Sequence, residues 1–199
     1  MSFWKEIIQY RWDRIHAAIH HKTAKDVRQA LRGPIRSFDD LLALLSPSAA
    51  GFLEEMAQAA HELTVRRFGR TIQMFAPVYI SSECTNSCVY CGFNRHNQIP
   101  RATLTVAEVE KEVIFLHQQG FRHVLLLTGE SPQHASVDYL IQIAQKLQPL
   151  LASISVEIYP MTTDDYRRLI ENGVDGLTVY QETYHVKRYA EVHPAYRFT

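Results

Sequence analysis

The chain has 199 residues, 46% of them hydrophobic, enough to bury one sizeable core. Lys plus Arg and Asp plus Glu both total 21, so the formal charge is zero and no basic excess points to nucleic acid or an anionic membrane surface. No apolar run approaches the roughly 18 residues of a membrane span, and the start "MSFWKEIIQYRW" lacks a signal-peptide core, so the expected setting is cytoplasmic.

In chain order, residues 1–70 read as helices. "TAKDVRQALRG" runs from a Thr23 cap to Gly33. "SFDDLLALLSP" opens on Ser37 with an acid at Asp40, a capping-box-like start. "SPSAAGFLEEMAQAAHELTVRRFG" places Ala49, Phe52, Leu53, Met56, Ala60 and Leu63 on one helical stripe and stops at Gly69. A stripe at this spacing is expected to pack rather than hold a cofactor, so the segment reads as a helical cap. The cations Arg66, Arg67 and Arg70 complement a helix C-terminus.

From residue 71 the pattern becomes strand, loop, helix, repeated. "IQMFAPVYIS" reads as a strand leading into a loop. "TVAEVEKEVIFLHQQG" reads as a helix with a Thr105/Glu108 capping box, and "HVLLLTGE" as a buried strand. "SVDYLIQIAQKLQPLL" reads as a helix and "SISVEIYP" as a strand. "TTDDYRRLIENG" is a capped helix, "DGLTVYQET" a strand, and "YHVKRYAEVHP" starts a further helix. Strands alternating with helices predict parallel βαβ units with right-handed crossovers. With no Gly-x-Gly-x-x-Gly after the first strand, an α/β fold of the (β/α) TIM-barrel type is favoured over a dinucleotide fold. The expected division is a helical segment over 1–70 and about four βα units over 71–199.

All three cysteines fall within "CTNSCVYCGF", as Cys84, Cys88 and Cys91, spaced C-x3-C-x2-C. An odd, clustered set is not a disulfide framework. Three thiolates hold three irons of a [4Fe–4S] cluster or three positions on a zinc ion, with His96 the nearest candidate for a fourth zinc ligand. Structural zinc sites usually draw ligands from two knuckles, and here there is one. The other reading is a cluster with one iron left open to a ligand that is not protein. A loop after the first barrel strand lies at the face where barrel enzymes do their chemistry.

Strand alternation adds acceptors. One parity gives Val124, Leu126, Thr128 and Glu130; another Ser155, Glu157 and Tyr159; a third Thr178, Tyr180 and Glu182. These parities are expected to face the lumen, so Glu130, Glu157 and Glu182 converge at one end of it. His134, His185 and His193 fall in loops or helix starts where an exposed histidine needs no function. Arg95 and Arg101 read as solvated loop residues.

The cysteine spacing, with Tyr90 just before the last Cys, resembles the signature of radical S-adenosylmethionine enzymes. With "LLLTGE" and "VYQETYH" it resembles, over about Trp12 to Pro194, the tyrosine lyases of thiazole (thiamine) biosynthesis. The resemblance implies a [4Fe–4S] cluster and S-adenosyl-L-methionine as cofactors. Reductive cleavage of the sulfonium gives a radical that takes hydrogen from the amine of L-tyrosine. Rupture of Cα–Cβ then yields p-cresol and 2-iminoacetate. It further implies an electron donor such as flavodoxin or ferredoxin, and thiazole synthase as the consumer of the product. By the same resemblance Gly129 and Glu130 meet the methionyl amine, Gln181 and Glu182 the ribose, and Tyr90 the adenine, with Glu157 toward cofactor or substrate. Two alternatives are the related tyrosine lyase of [FeFe]-hydrogenase maturation and a non-catalytic metal-binding module. Against the family pattern the chain stops after the fourth βα unit, so a half-barrel with open edges is expected.

Overall fold

A computed structural model describes residues 4–33 and 37–195. Residues 1–3, 34–36 and 196–199, which include parts of the helical expectation over 1–70 and the end of "HPAYRFT", lie outside the described residues. The chain forms two compact units, Met1–Ile72 and Gln73–Thr199.

The first unit is helical: α1 (Trp4–Ile7), α2 (Trp12–His21), α3 (Ala24–Leu31), α4 (Phe38–Leu44) and α5 (Leu53–Phe68), with a 3-10 segment over Pro47–Phe52. The caps form as the sequence suggests. Thr23 N–H donates to Asp26 at 2.8 Å, and Asp40 N–H donates to Ser37 Oγ at 3.0 Å. The core gathers Val27, Ala30, Ala43, Leu44 and Ala49, with Phe52 and Met56 against it. The expected stripe does not continue along α5, which buries no residue, and Leu53 and Leu63 are more than half exposed. Met56 is the last residue of the stripe to reach this core; α5 runs on past the short helices that build it, and Ala60 and Leu63 lie exposed beyond.

The second unit is a four-stranded parallel sheet in order β1-β2-β3-β4 with helical crossovers. Its elements are β1 (Ala76–Ser81), α6 (Val106–Gln118), β2 (His123–Thr128), α7 (Val137–Leu147), β3 (Ser153–Glu157), α8 (Thr163–Glu171), β4 (Gly176–Thr178) and α9 (Val186–Val192). The α/β expectation of barrel-type βα units therefore holds, with shorter outer strands. Residues 72–75 precede β1 without strand pairing, and Ile72 is largely exposed. Residues 179–183 follow β4 as loop.

One face of the sheet is buried. Val78, Leu126 and Val156 lie in one register row and pack with Val109, Val113, Leu140 and Leu147 of α6 and α7. This corrects the parity expected for β2: Val124 and Leu126 face the helices and belong to the core, not the lumen. "HVLLLT" is apolar at both parities, so only the pairing decides. Leu127 pairs with Glu157 and Tyr79 with Leu127, which puts Tyr79, Leu127 and Glu157 in one row on the other face. The parity expected for β3 stands, because Ile154 and Val156 are buried. Helices α6 and α8 end at Gly120 and Gly173, whose φ values of 98° and 97° suit glycine.

Tyr139, on α7, ties this core to the chain after the cysteine loop: its hydroxyl donates to Leu104 O at 2.6 Å. Burial, then the Glu108 charge, push its phenol from 10.0 up to about 12. The raised value means the folded state resists ionisation that the unfolded chain undergoes. This stability is whole below pH about 10 and is lost as pH climbs toward about 12. Tyr139→Phe is expected to flatten that part of the stability profile. At neutral pH it should cost about 1 kcal/mol for the lost hydrogen bond. Denaturant unfolding of both proteins at pH 8 and pH 11 measures it; equal alkaline losses would refute the assignment.

Candidate active site

The loop after β1 carries the three cysteines, and it is stapled from within. The Arg101 guanidinium donates to Ser82 O, to Phe93 O at 2.8 Å and to Asn94 O at 2.7 Å. Asn94 Nδ2 donates to Cys88 O at 2.8 Å, and Asn97 Nδ2 to Cys91 O at 3.2 Å. Arg101 is thus a loop staple, not the solvated residue its position suggests. His96 remains exposed, its Nε2 accepting from Arg95 Nε at 3.3 Å.

The segment after β2 cradles the start of this loop. Thr85 donates from its backbone N–H and its hydroxyl to Glu130 O, at 2.9 and 3.0 Å. The Asn86 amide donates to the Glu130 carboxylate. Gly129 N–H donates to Ser81 O at 3.0 Å. A Cβ on Gly129 would lie 2.3 Å from Glu83 O and 2.9 Å from Cys84 Cβ, so only glycine lets the loop pass. Asn86 is a site residue that sequence reasoning missed.

Beyond the C-terminal ends of the strands is a cavity of about 400 Å³. The three cysteines, Tyr90, Gly129, Glu130, Glu157, Gln181 and Glu182 all line it, so the structure brings every expected site residue together. Only Glu157 stands on a strand. Glu130 follows β2 by two residues and Glu182 follows β4 by four, so two of the three carboxylates arrive on loops rather than by strand parity. A second recess of about 320 Å³, lined by Gln73, His123, Ser155 and Thr178 among others, carries no thiol.

None of the described residues lining the larger cavity is Lys or Arg. Three carboxylates and three free thiols make its wall acceptor-rich. Burial, then the neighbouring Cys91 and Cys84 sulfurs, push the Cys88 thiol up. Burial and the adjacent Glu182 carboxylate hold the Tyr90 phenol well above its ordinary value. Among the described residues no three His, Cys, Asp or Glu side chains converge at the spacing of a single ion.

The histidines divide. His134 is exposed beside Ser131, and His185 caps α9 by accepting from Arg188 N–H at 3.1 Å. His193, expected to be exposed, is 4% exposed and lines the cavity.

The model of the Radical SAM superfamily matches residues 78–198. The chain belongs to the radical SAM superfamily. The radical SAM match begins in β1 and contains the whole cavity wall. The chain is 42% identical to 2-iminoacetate synthase of Escherichia coli K12 over 185 residues, 93% of this chain and 49% of that one. It thus spans about half the length of the curated relatives it matches. Among solved structures it resembles HydG, a maturase of the [FeFe]-hydrogenase, with a TM-score of 0.84 and 27% identity. That likeness covers 92% of this chain and 43% of HydG. It also resembles methylornithine synthase (PylB), with a TM-score of 0.63 and 25% identity, over 92% of this chain and 52% of that one.

Proposed function

We propose that the complete protein is a radical SAM lyase that splits the Cα–Cβ bond of L-tyrosine into p-cresol and 2-iminoacetate for thiazole synthesis in thiamine biosynthesis. The observation that carries this reading is the 42% identity to 2-iminoacetate synthase across 93% of the chain. The HydG likeness supports a second reading, a hydrogenase-maturation tyrosine lyase, but at 27% identity.

The residues fit the cofactors. Three thiols on one loop, none in a disulfide, supply three ligands to a [4Fe–4S] cluster and leave its fourth iron to an exogenous donor. An acidic wall without Lys or Arg suits a ligand bearing an ammonium and a sulfonium. When bound, the cluster and S-adenosylmethionine supply the hydrogen-abstracting radical. The chain's own groups bind and orient. Cys84, Cys88 and Cys91 hold the cluster, and Glu130, beside Gly129, accepts from the methionyl ammonium while keeping its Asn86 bond. Gln181 and Glu182 accept from the ribose hydroxyls, Tyr90 lies against the adenine, and Glu157 faces cofactor or substrate. Flavodoxin or ferredoxin supplies electrons, and thiazole synthase takes the product.

With the complete protein, a reductant and tyrosine, 5′-deoxyadenosine and p-cresol are expected together. Glyoxylate is expected from hydrolysis of the imine. Glu182→Ala should retain iron while weakening S-adenosylmethionine binding about ten- to a hundredfold, the loss of one charge-assisted acceptor. Deoxyadenosine without p-cresol would refute the tyrosine assignment. Parent-like cofactor affinity in Glu182→Ala would refute the ribose contact.

A further inference from the structure

Three segments of the second unit meet at a single imidazole. His193 follows α9, and its ring stacks on Tyr189 at 4.1 Å and 19°. Its Nδ1 lies 3.2 Å from Tyr189 O and donates to it, since a carbonyl only accepts. Its Nε2 lies 2.6 Å from Tyr90 Oη and 3.0 Å from Glu182 Oε2. Beside this contact Val89 N–H donates to Val192 O at 3.0 Å. Tyr90 stands between Cys88 and Cys91, and Glu182 stands on the loop after β4. One buried side chain thus stands against both the Tyr90 hydroxyl, between two thiols, and the adjacent Glu182 carboxylate.

The geometry points to His193 as a positioning residue, a latch that holds Tyr90 and Glu182 as one preformed face for S-adenosylmethionine. It rests on the cofactor reading above. Tyr90 is about half exposed, so packing alone does not fix its ring, and its hydroxyl is the point at which it is held. Without His193 both Tyr90 and the residue 179–184 loop gain freedom that the cofactor must remove on binding, and affinity falls by that cost. His193 touches no thiol by hydrogen bond among the described residues, so cluster content stays.

The test uses cluster-loaded protein and three variants. His193→Phe keeps the ring shape against Tyr189 and loses all three polar contacts. His193→Gln returns a polar tip toward Tyr90. Tyr90→Phe removes only the hydroxyl. Iron and sulfide content should match the parent in all three. S-adenosylmethionine affinity, read from the change it causes in the reduced cluster's electron paramagnetic resonance spectrum, should fall about tenfold in His193→Phe, the loss of one or two hydrogen bonds. It should recover most of that in His193→Gln. The Tyr90→Phe/His193→Phe double variant should lose less than the sum of the two single losses, because both remove the Tyr90–His193 bond. Amide hydrogen exchange across residues 88–91 should quicken in His193→Phe before any cofactor is added. Additive losses, or parent-like affinity in His193→Phe, overturn the latch. A parent whose spectrum ignores S-adenosylmethionine overturns the cofactor reading instead. Exchange across 88–91 then decides the latch alone, and unchanged protection in His193→Phe refutes it.

Discussion

Changing any one of Cys84, Cys88 or Cys91 to Ala is expected to yield a protein that folds and carries no [4Fe–4S] cluster. The sequence holds no further cysteine to replace the lost ligand, and two thiolates leave two irons without protein anchors. The fold should survive, because none of the three belongs to either hydrophobic core. Those cores are built from residues such as Ile80, Leu126 and Ile143 in one unit and Val27 and Ala43 in the other. Arg101, Asn94 and Asn97 hold the loop backbone through bonds that use no thiol. After anaerobic reconstitution the parent should hold about four irons with matching sulfide, and each variant essentially none, with unchanged far-ultraviolet circular dichroism. Zinc at one per chain in the parent, with no sulfide, would instead support a metal-binding module. Parent-like iron in a single-Cys variant would refute the ligand set.

The reach of sequence reasoning differs from residue to residue for physical reasons. The Ser37, Thr105 and Thr162 caps were legible because a cap is local: donor and acceptor stand three residues apart. The cysteine loop was legible as spacing, and so was the facing of β3, where Ser155 and Glu157 alternate with buried Ile154 and Val156. The facing of β2 was not, because three consecutive leucines carry no alternation and only pairing with Glu157 sets it. The burial of His193 rests on a contact 103 residues distant from Tyr90, and no local pattern announces such a partner. Arg101 was hidden in another way. A guanidinium that satisfies several carbonyls of its own loop has the same sequence surroundings as a solvated one, and it differs only in how the loop curls around it. The convergence of the three carboxylates was right in outcome for Glu130 and Glu182 although strand parity does not deliver them. Both are carried past their strands by loops ending at the same cavity.

Gly129→Ala is expected to damage the site more than any other single methyl group added to a glycine near the cysteine loop. The new Cβ would fall 2.3 Å from Glu83 O, where real contacts do not occur, and 2.9 Å from Cys84 Cβ. The first obstacle is backbone, so no rotamer change relieves it. Either Glu83–Cys84 moves away from β2 or residue 129 moves out of its bond to Ser81 O. Both shifts strain the bonds from Thr85 and Asn86 to Glu130, which define where the loop begins. Overpacking of this kind costs about 1–3 kcal/mol, and here it acts on the anchor of the first thiol. The expected result is a lower unfolding midpoint together with cluster occupancy well below that of the parent under identical reconstitution. Gly92→Ala is the matched control: it stands beside Cys91 in the same loop, its φ is not positive, and its Cβ would meet nothing within 4 Å. It should load iron as the parent does. Gly129→Ala loading a full cluster at the parent's unfolding midpoint would mean that the loop does not rest on Gly129. Equal losses in the two variants would mean that the loop tolerates no added methyl group anywhere, and the close approach at Gly129 would then explain nothing specific.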